Sequence, residues 1–270
     1  MEEEQPYYLM QYNILHQKEN WGPPALLNLG LQTRAENLVR VIREASPDIL
    51  ALAERHDEWA AVGTGETVDL GVMLGGVYAF AEDRIEDGTV VNRTPILYRS
   101  DVFRCRESGS FRLGEEVPFA TSQNKRVVSY AVLEDIRDFA NNPAWGRRII
   151  VLATHWSSGQ PQETVNAQAS STAQAVATVL QKEDYGELPV ILAADFNVPY
   201  ANEAYQALLA TCGLADADHQ IRGEAGMDTC IVDHIAFLRC SVSAFTKITS
   251  EAANSASDHQ PICCQIKIGG

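Results

Sequence analysis

The chain has 270 residues, 46% hydrophobic and 21% charged, which suits a soluble globular protein with a substantial core and excludes a fibrous or disordered one. Its 21 Lys and Arg face 36 Asp and Glu, a formal net charge of -15 that repels polyanions at long range and speaks against a broad basic face for duplex DNA. No run of about 18 apolar residues is present to cross a membrane. The start, MEEEQPYYLM, lacks the basic and apolar regions of a signal peptide, and the compartment stays open between cytoplasm and secretion.

In chain order, YYLMQYN reads as a strand ending at Asn13, followed by a loop with ENWGPP in which Trp21 is an anchor or a pocket wall. TRAENLVRVIREASPD reads as a helix, with Thr33 and Glu36 as a capping box, Leu38, Val41, Ile42 and Ala45 on one face, and Pro47 as the stop. DILALAE is a short buried strand ending at Glu54. TPILYRS, RVVSYAVLE and RRIIVLATHW are further strands, the last ending at His155. ETVNAQASSTAQAVATVL carries a helical stripe at Val165, Ala169, Ala173, Val176 and Leu180. VILAAD is a strand ending at Asp195. CIVDHIAFL and PICCQIKI are late strands, and in the second Ile262, Cys264, Ile266 and Ile268 share one side. With no repeat and no Pro/Ser-rich linker, residues 1–270 read as one domain, expected to be a monomer.

Several of these strands are short, apolar and closed by a polar residue, and strand ends are where layered α/β proteins build sites. The residues so placed are Asn13, Glu54, His155, Asp195, Asn197, Asp233, Asp258 and His259. Carboxylates and amides suit a hard divalent ion, magnesium with manganese as a substitute. Histidines beside carboxylates suit proton transfer and charge stabilisation. Gly-rich phosphate loops, GxSxG and HExxH are absent. The remaining histidines, His16, His56, His219 and His234, read as structural or surface residues. The cysteines, Cys105, Cys212, Cys230, Cys240, Cys263 and Cys264, show no CxxC spacing and read as mostly buried thiols, with disulfides as the alternative.

QYN, PDILALAE, LATHW, AADFN, VDHIAF and SDHQPI, in that order from Asn13 to His259, resemble the endonuclease/exonuclease/phosphatase (DNase I-like) superfamily. The resemblance implies a four-layer α/β sandwich, two mixed sheets packed face to face with helices outside. It implies metal binding at Glu54, with Asn13 and Asp258 beside it. Asp195 and Asn197 would orient the attacking water and the scissile phosphate, His259 would contact the phosphate or act as acid and base, and Asp233 would hold His259. His155 matches a second site histidine, and Arg126, in NKRVV, a phosphate contact for which Lys125 competes. Ala53 stands where the superfamily often has Gln, and Ala194 where it usually has Gly. The implied activity is metal-dependent hydrolysis of a phosphate ester, foremost a diester. The alternatives are a phosphatase for a sugar or inositol phosphate and an inactive binding module on the same fold. Basic clusters are few, NKR at 124–126 and GRR at 146–148, so nucleic acid stays among the substrates without being favoured.

Overall fold

The apolar runs that end in a polar residue become strands, and the 3.6-period stripes become the helices that cover them. The structure, a computed structural model, describes residues 6–16, 23–114, 126–137 and 147–268. Trp21, Lys125 and Gly146 lie outside these. The strands are β1 (Tyr7–Asn13), β2 (Ile49–Ala53), β3 (Tyr78–Phe80), β4 (Ile85–Glu86), β5 (Thr89–Val90), β6 (Ile96–Arg99), β7 (Phe103–Arg112), β8 (Val127–Asp135), β9 (Arg148–His155), β10 (Val190–Asp195), β11 (Ala215–Asp216), β12 (Asp233–Leu238), β13 (Ser241–Lys247) and β14 (Ile262–Lys267). The helices are α1 (Pro24–Leu27), α2 (Leu31–Ala45), α3 (Leu70–Leu74), α4 (Gln162–Leu180), α5 (Glu203–Cys212), α6 (Ala217–Arg222) and α7 (Glu251–Ala256).

Two six-stranded sheets form, in the orders β13-β14-β1-β2-β6-β3 and β11-β12-β10-β9-β8-β7, and β4 and β5 make a separate hairpin. Each sheet is mixed. Its centre is one parallel pair, β1 with β2 in the first and β9 with β10 in the second, flanked by antiparallel neighbours. The sheets face each other across a core that includes Leu9, Ala51, Ile96, Val151, Ile191, Ile235 and Cys264. The outer face of the first sheet packs under α2, α3 and α7. The outer face of the second packs under α4 and α5. This is the expected four-layer sandwich. Strands buried on both faces explain the continuous apolar runs. Strand β14 shows both at once, with Cys264 in the inter-sheet core and Cys263 in the outer one.

The expected capping box is not used. Helix α2 starts two residues before Thr33, its N-cap is Gly30, and Glu66 caps it from a distant loop. Glu66 takes the backbone N–H of Leu31 at 3.0 Å and that of Gln32 at 3.3 Å. A carboxylate supplied by tertiary structure satisfies the same orphan donors and suits the positive end of the helix. All six cysteines are free thiols, but only Cys263 and Cys264 are fully buried and Cys230 is exposed. No helix among the described residues is long and apolar enough to cross a membrane.

Candidate active site

Parallel pairing brings strand ends to one edge of each sheet, and the site is built there. In the first sheet Asn13 pairs with Ala53, so Glu54 follows directly beside it. In the second, Asp195 lies in register with His155 on one side and with Asp233 on the other. The two sheets meet through Asn13. Its buried Nδ2 donates to Glu54 Oε1 at 3.0 Å and to Asp195 Oδ2 at 2.9 Å, while its Oδ1 accepts the N–H of Leu15. Asn13 therefore serves in this arrangement as a bridge between two carboxylates. Its backbone carbonyl accepts the Ser257 hydroxyl at 2.7 Å, and Ser257 Oγ in turn accepts the N–H of His259. That chain of bonds fixes the loop carrying the last histidine against the end of β1.

Glu54 sits in the left-handed region, φ 65°, a conformation a glutamate adopts only when its surroundings enforce it. Its Oε2 accepts the backbone N–H of His16 at 3.0 Å and faces His16 Nδ1 at 2.5 Å. His155 Nε2 is 3.9 Å from Oε1. Burial pushes this carboxyl up, but the bond from His16 and the charges of His155 and His16 outweigh burial and hold it well below the usual carboxylate range. His16 is a site residue that the sequence reading left among the structural and surface histidines. It follows the strand by three residues and stacks on His56 at 4.5 Å between ring centroids.

Asp195 has the opposite environment. It is fully buried, it faces Asp233 across the β10–β12 pair, and its donors are two amides, Asn13 Nδ2 and the N–H of Asn197 at 2.8 Å. Burial and the neighbouring Asp233 push its carboxyl up to about 7. Two histidines approach the same oxygen, His155 Nε2 at 3.4 Å and His259 Nε2 at 3.8 Å. Burial pushes the His155 ring well below the ordinary histidine value, helped by the charge of Arg126. His259 goes the other way. Burial works against its charge, but Asp233, whose Oδ2 lies 2.7 Å from Nδ1, lifts the ring to about 10. One half-buried imidazole is thus neutral near neutral pH and the other is an imidazolium.

The link between Asp195 and Asn197 differs from an extended period-two pair. The chain leaves the strand at Asp195, and Asn197 is left-handed at φ 54°. Asn197 closes a tight turn on the Asp195 carboxylate, and its Nδ2 donates to the Trp156 carbonyl at 2.8 Å. Asn adopts this region more readily than most residues, which is why the turn can carry an amide. Arg126 donates to the His155 carbonyl at 2.9 Å. Burial lowers its pKa, and the charges of Glu54 and Asp195 raise it, so the guanidinium stands within Coulomb reach of both carboxylates. Asp258 is exposed, accepts the Ser257 hydroxyl at 3.4 Å, and makes no hydrogen bond to Glu54. His234 points away, as alternation along β12 requires. Its Nδ1 lies 3.2 Å from Asp216 and its Nε2 3.1 Å from the Val198 carbonyl.

Among the described residues, Asp195, Asp233 and His259 bring three donor atoms within 4.8 Å of one another. This differs from the set implied by the resemblance, which centres on Glu54 and Asp258. Asp233 Oδ1 is buried with no hydrogen-bond partner among the described residues, an orphan that a cation would satisfy. Oxygen-rich donors with one imidazole suit a hard divalent ion. The residues present therefore fit such a group.

No model of a known protein family matches the sequence, and no curated protein is similar to it in sequence. Solved structures do share its architecture. An endonuclease/exonuclease/phosphatase from Bacteroides vulgatus is 19% identical, with a TM-score of 0.74 over 98% of this chain and 100% of that one. The human Nocturnin catalytic domain, with a bound sulfate anion, is 20% identical, with a TM-score of 0.69 over 98% of this chain and 95% of that one. A mannosyl-6-phosphatase from Bacteroides thetaiotaomicron is 18% identical, with a TM-score of 0.69 over 96% of this chain and 99% of that one. Two mixed sheets, helices on both outer faces and like architecture along almost the whole length give this chain the fold of the endonuclease/exonuclease/phosphatase proteins.

Proposed function

We propose that the protein is a divalent-metal-dependent phosphoesterase that hydrolyses a phosphodiester with an activated water. One observation carries the reading. Asn13, His155 and His259, from three separate parts of the chain, converge on a single oxygen of a buried carboxylate, Asp195 Oδ2. A carboxyl raised to about 7 is matched to accepting a proton near neutral pH. The fold shared with a phosphatase supports the reaction class.

In this reading Asp195 takes the proton of the attacking water, and the turn at Asn197 keeps the carboxylate aimed. The oxygen of that water bonds to phosphorus as the bond to the leaving oxygen breaks. The His259 imidazolium, its Nδ1–H held by Asp233, presents Nε2–H to the developing negative charge. His155, neutral, and Arg126 flank the same space. Glu54, the carboxylate held as an anion, is the position that would hold magnesium in this reading, since an imidazolium at His259 has no lone pair to give and Asp195 is kept for the proton. When bound, the ion supplies charge neutralisation on phosphate oxygens and a more acidic water. The net charge of -15 makes a small or short phosphoester a better substrate than duplex nucleic acid.

The test is hydrolysis of bis(p-nitrophenyl) phosphate and p-nitrophenyl phosphate, side by side, with magnesium and with EDTA. Chelator-sensitive cleavage of the diester is the expected result. Cleavage of the monoester alone would move the assignment to a sugar or inositol phosphatase. Cleavage of neither, on these esters and on a panel of nucleotide and sugar phosphates, would leave a binding module and overturn the proposal.

A further inference from the structure

LATHW ends in Trp156, a fully buried residue whose ring has no part in the chemistry proposed above. Its peptide group with Ser157 lies between two side-chain amides. On one edge the Ser157 N–H donates to Gln168 Oε1 at 2.8 Å. On the other the Trp156 carbonyl accepts Asn197 Nδ2 at 2.8 Å. The N–H and C=O of a trans peptide are coplanar and point in opposite directions, so an amide that fixes the N–H also fixes where the carbonyl is presented. The Trp156 N–H adds a bond to the Asp195 carbonyl at 2.9 Å, and its ring meets Phe196 edge-on, 4.8 Å between centroids.

Gln168 belongs to α4, on a face otherwise built from Val165, Ala169, Ala175 and Val179. It is 1% exposed, and its Nε2 has no hydrogen-bond partner among the described residues. Burial of an unpaired amide donor is unfavourable, and a methionine of similar length would avoid it while filling the same space. What the glutamine has and a methionine lacks is the acceptor that Ser157 uses. One turn further on, Thr172 is also buried. Its Oγ1 donates to the Gln168 carbonyl at 2.8 Å and accepts the Trp156 indole N–H at 3.1 Å. The first of these is the ordinary back-bond of a hydroxyl in a helix. The second ties the helix to Trp156. Helix α4 thus holds residue 156 by its ring and residue 157 by its backbone.

We propose that Gln168 and Thr172 are positioning residues for the hydrolysis. They orient the Trp156–Ser157 peptide, and that peptide holds the Asn197 side chain. The Asn197 N–H, 2.8 Å from Asp195 Oδ1, in turn holds the carboxylate assigned the proton. The inference rests on the phosphoesterase reading and extends the working parts of the site to the helix behind the second sheet. Both residues act through another, so the expected loss is in kcat and not in KM.

The variants are Gln168→Met and Thr172→Val, which keep volume and remove one acceptor each, with Thr172→Ser as the conservative rescue. Thr178→Val is the matched control. The Thr178 hydroxyl makes the same back-bond on α4, 2.7 Å to the Gln174 carbonyl, at an exposed position. With bis(p-nitrophenyl) phosphate and magnesium, Gln168→Met and Thr172→Val are each expected to lower kcat roughly tenfold, the size of one hydrogen bond, with KM within about twofold of the wild type. Thr172→Ser and Thr178→Val are expected to keep the wild-type kcat. A reading free of turnover comes from the Asn197 side-chain amide in nitrogen–proton correlation spectra, identified by its loss in Asn197→Asp. Its resonances are expected to move in Gln168→Met and Thr172→Val and to stay in Thr178→Val. Wild-type kcat in both acceptor variants, or a fall in kcat with the Asn197 resonances unmoved, overturns the positioning role. So does a loss that Thr172→Ser shares, which marks damage to the packing around α4. Should Gln168→Met fail to fold, the two Thr172 variants and their spectra decide alone. A wild type that cleaves neither ester overturns the phosphoesterase reading, and the Asn197 resonances then still decide whether α4 orients that side chain.

Discussion

Two carboxylates, one from each sheet, share the side chain of Asn13 and have their pKa values shifted in opposite directions. Glu54 is held well below the usual carboxylate range, because a histidine ring and a second imidazole face it. Asp195 is lifted to about 7, because burial and Asp233 act on it while its hydrogen bonds come from neutral amides. The strand geometry on the two sides is nearly the same, a parallel pair whose C-terminal ends carry the acid. What differs is the partner set, which holds Glu54 as an anion and lifts the Asp195 carboxyl, as the proposed role of proton acceptor requires. Environments that push two acids apart are how a single site obtains separate charge and acid–base roles.

The largest effect expected follows from that division. Asp195→Asn keeps the shape and removes the proton acceptor, so diester turnover should fall on the order of 10²–10⁴-fold. Near-normal turnover would remove Asp195 from the chemistry. The same variant should alter the pH dependence of unfolding measured in EDTA. A carboxyl raised on folding stabilises the native state below its unfolded pKa, near 3.8, and that contribution disappears as pH rises through about 7. The wild type should therefore lose stability across pH 4–7 from this group, and Asp195→Asn should lack that slope. Glu54 has the opposite sign. Its contribution is present above its ordinary value of 4.5 and is lost as pH falls through the depressed one.

The Asp195 side of the site was the more legible in sequence. Its residues sit at the ends of uninterrupted apolar runs, VILAAD and IIVLATH, where burial on both faces leaves little choice of structure. The Glu54 side was read in part. Glu54 and Asn13 end runs of the same kind, but His16 lies beyond Leu15, a left-handed residue with φ 53° that no pattern announces. The run NILH, a polar residue just after the strand's apolar exit, was the available signal. Ser257 was missed for a related reason, since its role is to join two loop backbones. Long-range caps are hidden in the same way. Glu66 lies 35 residues from the N–H it takes at Leu31, so local rules placed the start of α2 at Thr33 instead. Strand β7, with its bulge between Cys105 and Glu107 and its polar FRCRESGSFR, offered neither alternation nor an apolar run.

Next in size is the metal response. Magnesium that binds only the native state at 100 times its Kd should stabilise the wild type by about 2.7 kcal/mol, seen as a rise in Tm. Glu54→Gln removes the fixed anion and should abolish most of that rise. An undiminished shift would place the cation wholly on Asp195, Asp233 and His259, the three whose donor atoms lie within 4.8 Å. His16→Asn should be milder. It leaves the carboxylate but removes the ring that holds it, and losses of such outer partners weaken metal affinity by roughly 10–100-fold. A full-strength metal response in His16→Asn, with normal turnover, would return His16 to a purely structural place.

The smallest effect expected concerns a third acid with a lowered pKa, Glu107, on the far edge of the second sheet. Lys182, bonded to it, is the main cause, burial opposes, and the hydroxyls of Tyr130 at 2.7 Å and Tyr185 at 2.8 Å assist. By direction of shift alone, Glu107 and Glu54 are alike. They differ in exposure and company. The side chains of Glu107 and Lys182 are each about a third exposed, 35%, and among the described residues no histidine or second carboxylate joins them. Water screens such a pair, so Lys182→Met should cost under about 1 kcal/mol in urea unfolding and leave diester turnover unaltered. A large activity loss would mean that this cluster communicates with the site through β8 and β9. The expected null would make the sharper point about the two halves of the site. A depressed carboxyl marks an ion pair wherever one forms, and it acquires chemical meaning at Glu54 only because Asp195, tuned the other way, lies across a single asparagine side chain.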